Sequence, residues 1–220
     1  MSPSDQRYRT IISQCEQYHA TLVAVSKTRT NDEIMVLYNL GQRIFGENRA
    51  QELMAKAPDM PADIEWHIIG HLQTNKVKAL MPYVRCIQSL DSPRLFKTID
   101  SEALKAGKTI RCLLQIKISK EESKFGWAFE ELNDFLRMGH HLEYKNVVLE
   151  GVMGMTTLTD DQTVIRTELN ALKKLFDQIK VDHFPTSDHF HTISMGMSGD
   201  YPIALEEGST MIRVGSLLFS

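Results

Sequence analysis

The residue best suited to covalent chemistry is Lys27. It follows the apolar run Leu22-Val23-Ala24-Val25 and Ser26, and it precedes the polar turn Thr28-Arg29-Thr30-Asn31-Asp32. A Val-rich run of that length suits a buried strand, so Lys27 stands where the strand surfaces. An ordinary lysine at such a place extends its ammonium into solvent along an apolar stem. A lysine held at the rim of a low-dielectric pocket behaves differently, because desolvation lowers its pKa and lets the amine form a Schiff base with a carbonyl. Its neighbours choose between the two. Near the end of the chain, Ser194-Met195-Gly196-Met197-Ser198-Gly199 and Arg213-Val214-Gly215-Ser216 combine hydroxyls with glycines that leave backbone N–H groups free, the chemistry that holds phosphate. Either segment alone reads as a turn that needs glycine. The pair, with an arginine beside it, favours a phosphate cradle.

Other clusters carry less. His67 and His71 have the spacing of a helical metal pair, but on a strand they stand about 13 Å apart, too far to share one ion. His189-Phe190-His191 has no cysteine nearby to complete a metal set and reads as a solvated loop. Met153, Met155, Met195 and Met197 suit the filling of irregular space. Glu121-Glu122 and Asp160-Asp161 read as solvated loop or helix-start charges. No metal site is expected.

The elements that must position these residues alternate. An amphipathic helix over about residues 5–18 precedes the Lys27 strand. Helix 32–40 then stops at Gly41, and strand 43–48 is followed by helix 49–56. Strand 64–71 leads to helix 74–80, and strand 85–90 to a helix opened by Asp91-Ser92-Pro93. Strand 109–118, the polar loop 119–126 and helix 128–138 come next. Strand 147–153 and the long helix 160–179 follow, with Leu169, Leu172, Leu175 and Phe176 on its inner face. Strands 192–195 and 210–214, separated by a short helix over 200–205, complete about eight alternations. Short loops and the lack of a linker favour an α/β fold of one domain over residues 1–220: a closed (β/α)8 TIM-type barrel preceded by an N-terminal helix. An open doubly wound sheet is the alternative, though no Gly-x-Gly-x-x-Gly follows the first strand. A barrel brings its strand ends to one face, here Lys27, Asn48, His71, Asp91, Lys117, Met153, Ser194 and Arg213. It also places phosphate sites after strands seven and eight, where the two glycine-bearing segments fall.

Composition narrows the partners. The net charge of −3 provides no basic field, so no nucleic acid is expected. The start of the chain lacks an apolar leader, and no stretch approaches the ~20 apolar residues of a membrane span, which points to the cytoplasm. Cys15, Cys86 and Cys112 form no C-x-x-C pair and read as buried or idle thiols.

A first-strand lysine able to form a Schiff base, a phosphate cradle on the last two strands and an arginine beside it describe a pyridoxal 5'-phosphate (PLP) site. Five segments closely resemble the pyridoxal phosphate homeostasis protein family, also called the YggS or proline-synthase co-transcribed family. They are Ala24-Val25-Ser26-Lys27-Thr28, residues 45–53 (FGENRAQEL), residues 66–76 (WHIIGHLQTNK), residues 194–201 (SMGMSGDY) and Ile212-Arg213-Val214-Gly215-Ser216. The resemblance implies a barrel like the N-terminal domain of alanine racemase, with PLP held as a Schiff base on Lys27. It implies that Arg213 faces the pyridine nitrogen and that Ser194, Gly215 and Ser216 bind phosphate. By the same resemblance Asn48, His71 and Met153 line the cofactor. Phe125-Gly126-Trp127 departs from the family pattern, which has smaller residues there.

An arginine donating to the pyridine nitrogen weakens the cofactor as an electron sink. The related racemase adds a tyrosine from a further domain and a partner subunit, for which this sequence has no segment. The expectation is a protein of intracellular vitamin B6 homeostasis that holds or hands over PLP, with PLP-dependent apoenzymes as recipients, and a monomer by family resemblance. The alternative is a PLP-dependent enzyme such as an amino-acid racemase, with Tyr201, Lys117 or a displaced Lys27 as base. A third reading is a barrel acting on a phosphorylated metabolite without cofactor.

Overall fold

The computed structural model describes residues 3–119 and 125–219. Eight parallel strands close into one barrel in sequence order. Helix α1 (Pro3–Gln17) precedes β1 (Thr21–Val25), α2 (Asn31–Asn39), β2 (Ile44–Glu47), α3 (Ala50–Lys56) and β3 (Glu65–Ile68). Then come α4 (Thr74–Leu80), β4 (Val84–Leu90), α5 (Pro93–Lys105), β5 (Ile110–Gln115) and α6 (Phe129–Arg137). The chain ends with β6 (Val147–Met153), α7 (Gln162–His183), β7 (Thr192–Ser194), α8 (Tyr201–Glu206) and β8 (Met211–Val214). Strand β8 closes the ring on β1, with Ile212 opposite Leu22 and Arg213 opposite Val23.

Local chemistry starts and stops these elements. Thr30 and Glu33 form a reciprocal capping box at α2, and the chain leaves that helix through Gly41 at φ +109°. The Ser92 side chain caps α5 ahead of Pro93, and Asp161 caps α7. Several strands end earlier than their apolar runs. Strand β3 stops at Ile68, not at His71, because Gly70 crosses against the backbone of Asn48: a Cβ there would lie 2.4 Å from the Asn48 carbonyl oxygen. Strand β5 stops at Gln115, where the Trp127 backbone takes up the hydrogen bonds of Gln115 and Lys117.

Strand alternation sorts the side chains into two layers. Outward residues such as Phe45, Trp66, Ile68, Ile87, Leu114 and Ile212 meet the inner faces of the helices in one continuous apolar cluster. Phe96 of α5 is 1% exposed there, which contributes ~2 kcal/mol by burial alone. Trp127 is fully buried under α6, its indole N–H donating to the Leu90 carbonyl at 2.9 Å. The inward layer has its own small apolar group of Cys86, Leu113 and Met153, and beside it lie buried polar side chains, His67, Gln88, Ser194 and Arg213.

The three cysteines are free and buried, and burial pushes the Cys86 thiol up to about 12. Among the described residues, no helix is long and apolar enough to cross a membrane, and no group of three or more His, Cys, Asp or Glu is arranged to hold a metal ion. The loop charges Glu121 and Glu122 lie outside the described residues.

Candidate functional site

A cleft of about 400 Å³ opens at the C-terminal ends of the strands. Its polar lining comes from Lys27, Asn48, Ser198, Arg213 and Ser216, and the backbones of Gly70, Gly199 and Gly215 add to it. Val25, Ile69, Met155 and Met197 supply apolar walls. The only ionisable side chains among the described lining residues are Lys27 and Arg213, both cationic.

Lys27 follows β1 by two residues, and its side chain is exposed at the mouth. The desolvated amine expected from the sequence is therefore not what the fold presents. What the fold does provide is a braced backbone. Thr28 adopts φ +63°, a strained conformation for a β-branched residue, and its N–H donates to Glu52 Oε2 at 2.7 Å. Ser26 Oγ donates to Glu47 Oε1 at 2.7 Å, and Lys56 Nζ donates to both Ser26 O and Glu47 Oε1. Burial raises the Glu47 carboxyl above its ordinary range, against the hydrogen bonds from Lys56 and Ser26. The Thr28 N–H holds Glu52 below its own.

The loops after β7 and β8 form the opposite wall. Gly196, at φ +94°, turns the chain so closely over α8 that a Cβ would lie 2.5 Å from that of Ala204. Asp200, buried, fastens the loop by accepting from Met197 N at 2.6 Å and from Thr156 Oγ1 at 2.7 Å. Gly215 N donates to Ser198 Oγ at 3.2 Å, tying the two loops together. The backbone N–H groups of Ser198, Gly199 and Ser216 donate to no group among the described residues.

Arg213 lies between the walls, 3% exposed. It donates from Nη1 to Ser194 Oγ at 2.7 Å and from Nη2 to Gly154 O at 3.0 Å. Burial lowers its pKa to about 10, with Asp200 opposing, so it stays charged at neutral pH.

Of the residues singled out in the sequence, the cleft gathers Lys27, Asn48, Arg213, Gly215 and Ser216. Ser194 is fully buried behind Arg213, and Met153 is fully buried inside the barrel. His71 lies beyond the end of β3 and lines an adjacent pocket of about 500 Å³ with Asn48, Arg49, Gln73 and Lys76. Its Nδ1 is 2.8 Å from Asp91 Oδ2, and its ring stacks on Phe125 at 3.8 Å. Lys117 is exposed outside the cleft, and Tyr201 Oη donates to Gln14 on α1. Ser198, read only as part of the segment 194–199, lines the cleft, and the bracing roles of Glu47, Glu52 and Lys56 escaped the sequence reading. A carboxylate at a strand end followed by a lysine on the next helix was the one available signal for the braces. A larger cavity of about 660 Å³ lies at the other end of the barrel, between α1 and the starts of β1 and β2. Its Arg43 is occupied by Asp63 and by the Tyr38 and Gln42 carbonyls.

Fold and cleft together define a closed parallel barrel with a cationic cleft at its strand ends and a lysine just past its first strand. Residues 4–220 match the family model described as alanine racemase, N-terminal domain. A pyridoxal phosphate homeostasis protein from Aquifex aeolicus is 37% identical over 201 residues, 91% of this chain and 86% of that protein. PipY from Synechococcus elongatus superposes with a TM-score of 0.90 without PLP, at 32% identity over 98% of this chain and 99% of that one. Its structure with PLP bound gives 0.88, at 31% identity over 99% of this chain and 100% of that one. Alanine racemase from Bartonella henselae shares the fold, with a TM-score of 0.75 at 15% identity over 97% of this chain and 57% of that one. The chain belongs to the pyridoxal phosphate homeostasis protein family, on the barrel of the alanine racemase N-terminal domain.

Proposed function

We propose that this protein binds PLP in the β1/β7/β8 cleft and serves vitamin B6 homeostasis by holding the cofactor on Lys27. The observation that carries this reading is the donor set. One amine, one buried guanidinium and free backbone N–H groups converge on about 400 Å³ between apolar walls, with no carboxylate among the described lining residues. A ring bearing an aldehyde and a phosphate dianion fits that set. When bound, PLP supplies a carbonyl carbon that condenses reversibly with an amine.

Lys27 would supply that amine, on a backbone braced by Glu52, Glu47 and Lys56. The N–H groups of Ser198, Gly199 and Ser216, with the Ser216 hydroxyl, would hold the phosphate. Gly215 would keep the two loops together through Ser198. Arg213 would face the ring nitrogen as a donor and leave it an acceptor. Asn48 would contact the ring edge at the mouth. In this arrangement Ser194 acts through Arg213 and not on the phosphate, Met153 supports the floor from inside the barrel, and His71 stands at the rim.

Racemisation needs acid–base groups on both faces of a substrate carbon. The described lining offers Lys27 as its one group suited to proton transfer, which supports holding the cofactor over turning over amino acids. The remaining parts of the reading are a single PLP-binding domain over residues 1–220, a cytoplasmic monomer, and transfer of PLP to apoenzymes.

The test is an absorbance spectrum of the purified protein with added PLP, then borohydride reduction and peptide mapping. A yellow band trapped on Lys27, and absent in Lys27→Ala, is expected. No band, or label spread over surface lysines, overturns the site. Sustained loss of optical activity from an L-amino acid, abolished by Lys27→Ala, would move the assignment to a racemase.

A further inference from the structure

Behind Arg213 a line of buried hydrogen bonds crosses the barrel interior from β8 and β7 to β4 and β3. Arg213 Nη1 donates to Ser194 Oγ at 2.7 Å, and Ser194 Oγ donates to Gln88 Oε1 at 2.7 Å. Gln88 Nε2 lies 2.9 Å from His67 Nδ1 and 3.2 Å from Met211 Sδ. Ser194 and Gln88 are fully buried, and His67 and Arg213 are 1% and 3% exposed.

The polarity of this line is set from its charged end. A guanidinium only donates, so Ser194 accepts from Arg213 and has its single O–H left for Gln88 Oε1. That turns the Gln88 NH₂ toward His67, which must accept at Nδ1 and carry its proton on Nε2. Burial keeps His67 neutral, as that arrangement requires, with its pKa lowered to about 3. His67 Nε2 is buried with no partner among the described residues. An apolar quartet would fill the same space without an unsatisfied atom, so the polar line points to a purpose other than packing.

We propose that Gln88, held from behind by His67, is a positioning residue that sets the roll of the Arg213 guanidinium through Ser194, and so fixes which N–H Arg213 turns toward the cleft. The inference rests on the PLP reading and extends it to residues that do not touch the cleft. Gly154 O holds Nη2 from one side and Ser194 Oγ holds Nη1 from the other, with Gln88 Oε1 keeping the Ser194 hydroxyl proton directed away from Arg213. Without Gln88, the Ser194 hydroxyl is free to rotate and the second anchor of the guanidinium is loosened.

The experiment compares full-length wild type, Gln88→Met, Ser194→Ala and the double variant. It reads PLP affinity, the position of the visible band and the Tm of each protein without PLP. Each single change is expected to weaken PLP binding about tenfold, as losing one hydrogen bond to a charged group does, and to shift the band. The double variant is expected to bind no worse than the weaker single variant, because the residues act in one line. Fully additive losses overturn the proposal. So does a Gln88→Met protein with lowered Tm whose band is unmoved and whose affinity is within about twofold of wild type, which is the signature of packing alone. If Gln88→Met does not fold, Ser194→Ala with an unmoved band and unchanged affinity overturns it equally. A wild-type protein with no Lys27-dependent band removes the cofactor reading and this inference together, whereas a wild-type band with unaltered variants removes this inference alone.

Discussion

The two faces of the same eight strands follow different rules. Outward side chains pack against the helices in an apolar shell where Phe45, Ile87, Leu114 and Ile212 are at most 1% exposed. Inward side chains meet mainly one another, and there Arg213, Ser194, Gln88 and His67 are at most 3% exposed, joined by hydrogen bonds. The shell is held by the hydrophobic effect, which is non-directional and tolerates exchange of similar volumes. The interior depends on directed hydrogen bonds, in which each polar atom needs a particular partner. Damage to the shell is therefore expected to read out as stability, and damage to the interior as altered behaviour of the cleft.

The strongest way to break that contrast is in the shell. Trp127→Ala removes a fully buried indole and its bond to Leu90, and is expected to cost ~3–5 kcal/mol in urea unfolding. A loss of that size with the band of residual folded protein unmoved supports the separation of the layers. A shifted band would show that the shell also shapes the cleft.

A smaller effect tests the interior through pH. The folded protein holds His67 neutral down to about 3, while the unfolded chain binds a proton near 6.5. Below 6.5 the unfolded state binds more protons, so stability rises with pH and is lost progressively as pH falls toward 3. For His67 alone the loss is roughly 2 kcal/mol from pH 7 to pH 5. His67→Gln keeps an acceptor for Gln88 and should remove that part of the slope, as measured by urea unfolding at both pH values. An unchanged slope would contradict a neutral, buried His67.

The smallest effect is expected where neither layer is involved. Leu158, 94% exposed in the loop after β6, should tolerate Leu158→Ser within about 0.5 kcal/mol. A larger loss of thermal stability would show that the loop packs on something in solution.

Much of the fold was legible because continuous apolar runs mark strands buried on both faces, while helical spacing marks the one face that a helix turns to the shell. Strand β6 and helix α4 have the bounds that the pattern suggests. Lys27, Arg213, Gly215 and Ser216 were legible for a related reason, since a barrel brings strand ends together whatever lies between them. His71 was harder to place, because β3 stops where Gly70 must pass Asn48, a contact between two loops. Ser194 and Ser198 are chemically equivalent in the sequence. Which of them faces the cleft depends on where β7 ends and on the turn at Gly196.

The sequence by itself determined the alternation of strands and helices, the lysine at the end of the first strand, and the glycine-bearing loops after the last two. These follow from local propensity and apolar periodicity, which act over a few residues. Only the tertiary structure decided that Glu47, Glu52 and Lys56 brace the Lys27 turn, that Ser198 and not Ser194 opens on the cleft, and that Gln88 and His67 stand behind Arg213. Those pairings join residues up to 106 positions apart. Hydrogen bonds of that kind are specified by the closing of the barrel and leave no periodic trace along the chain.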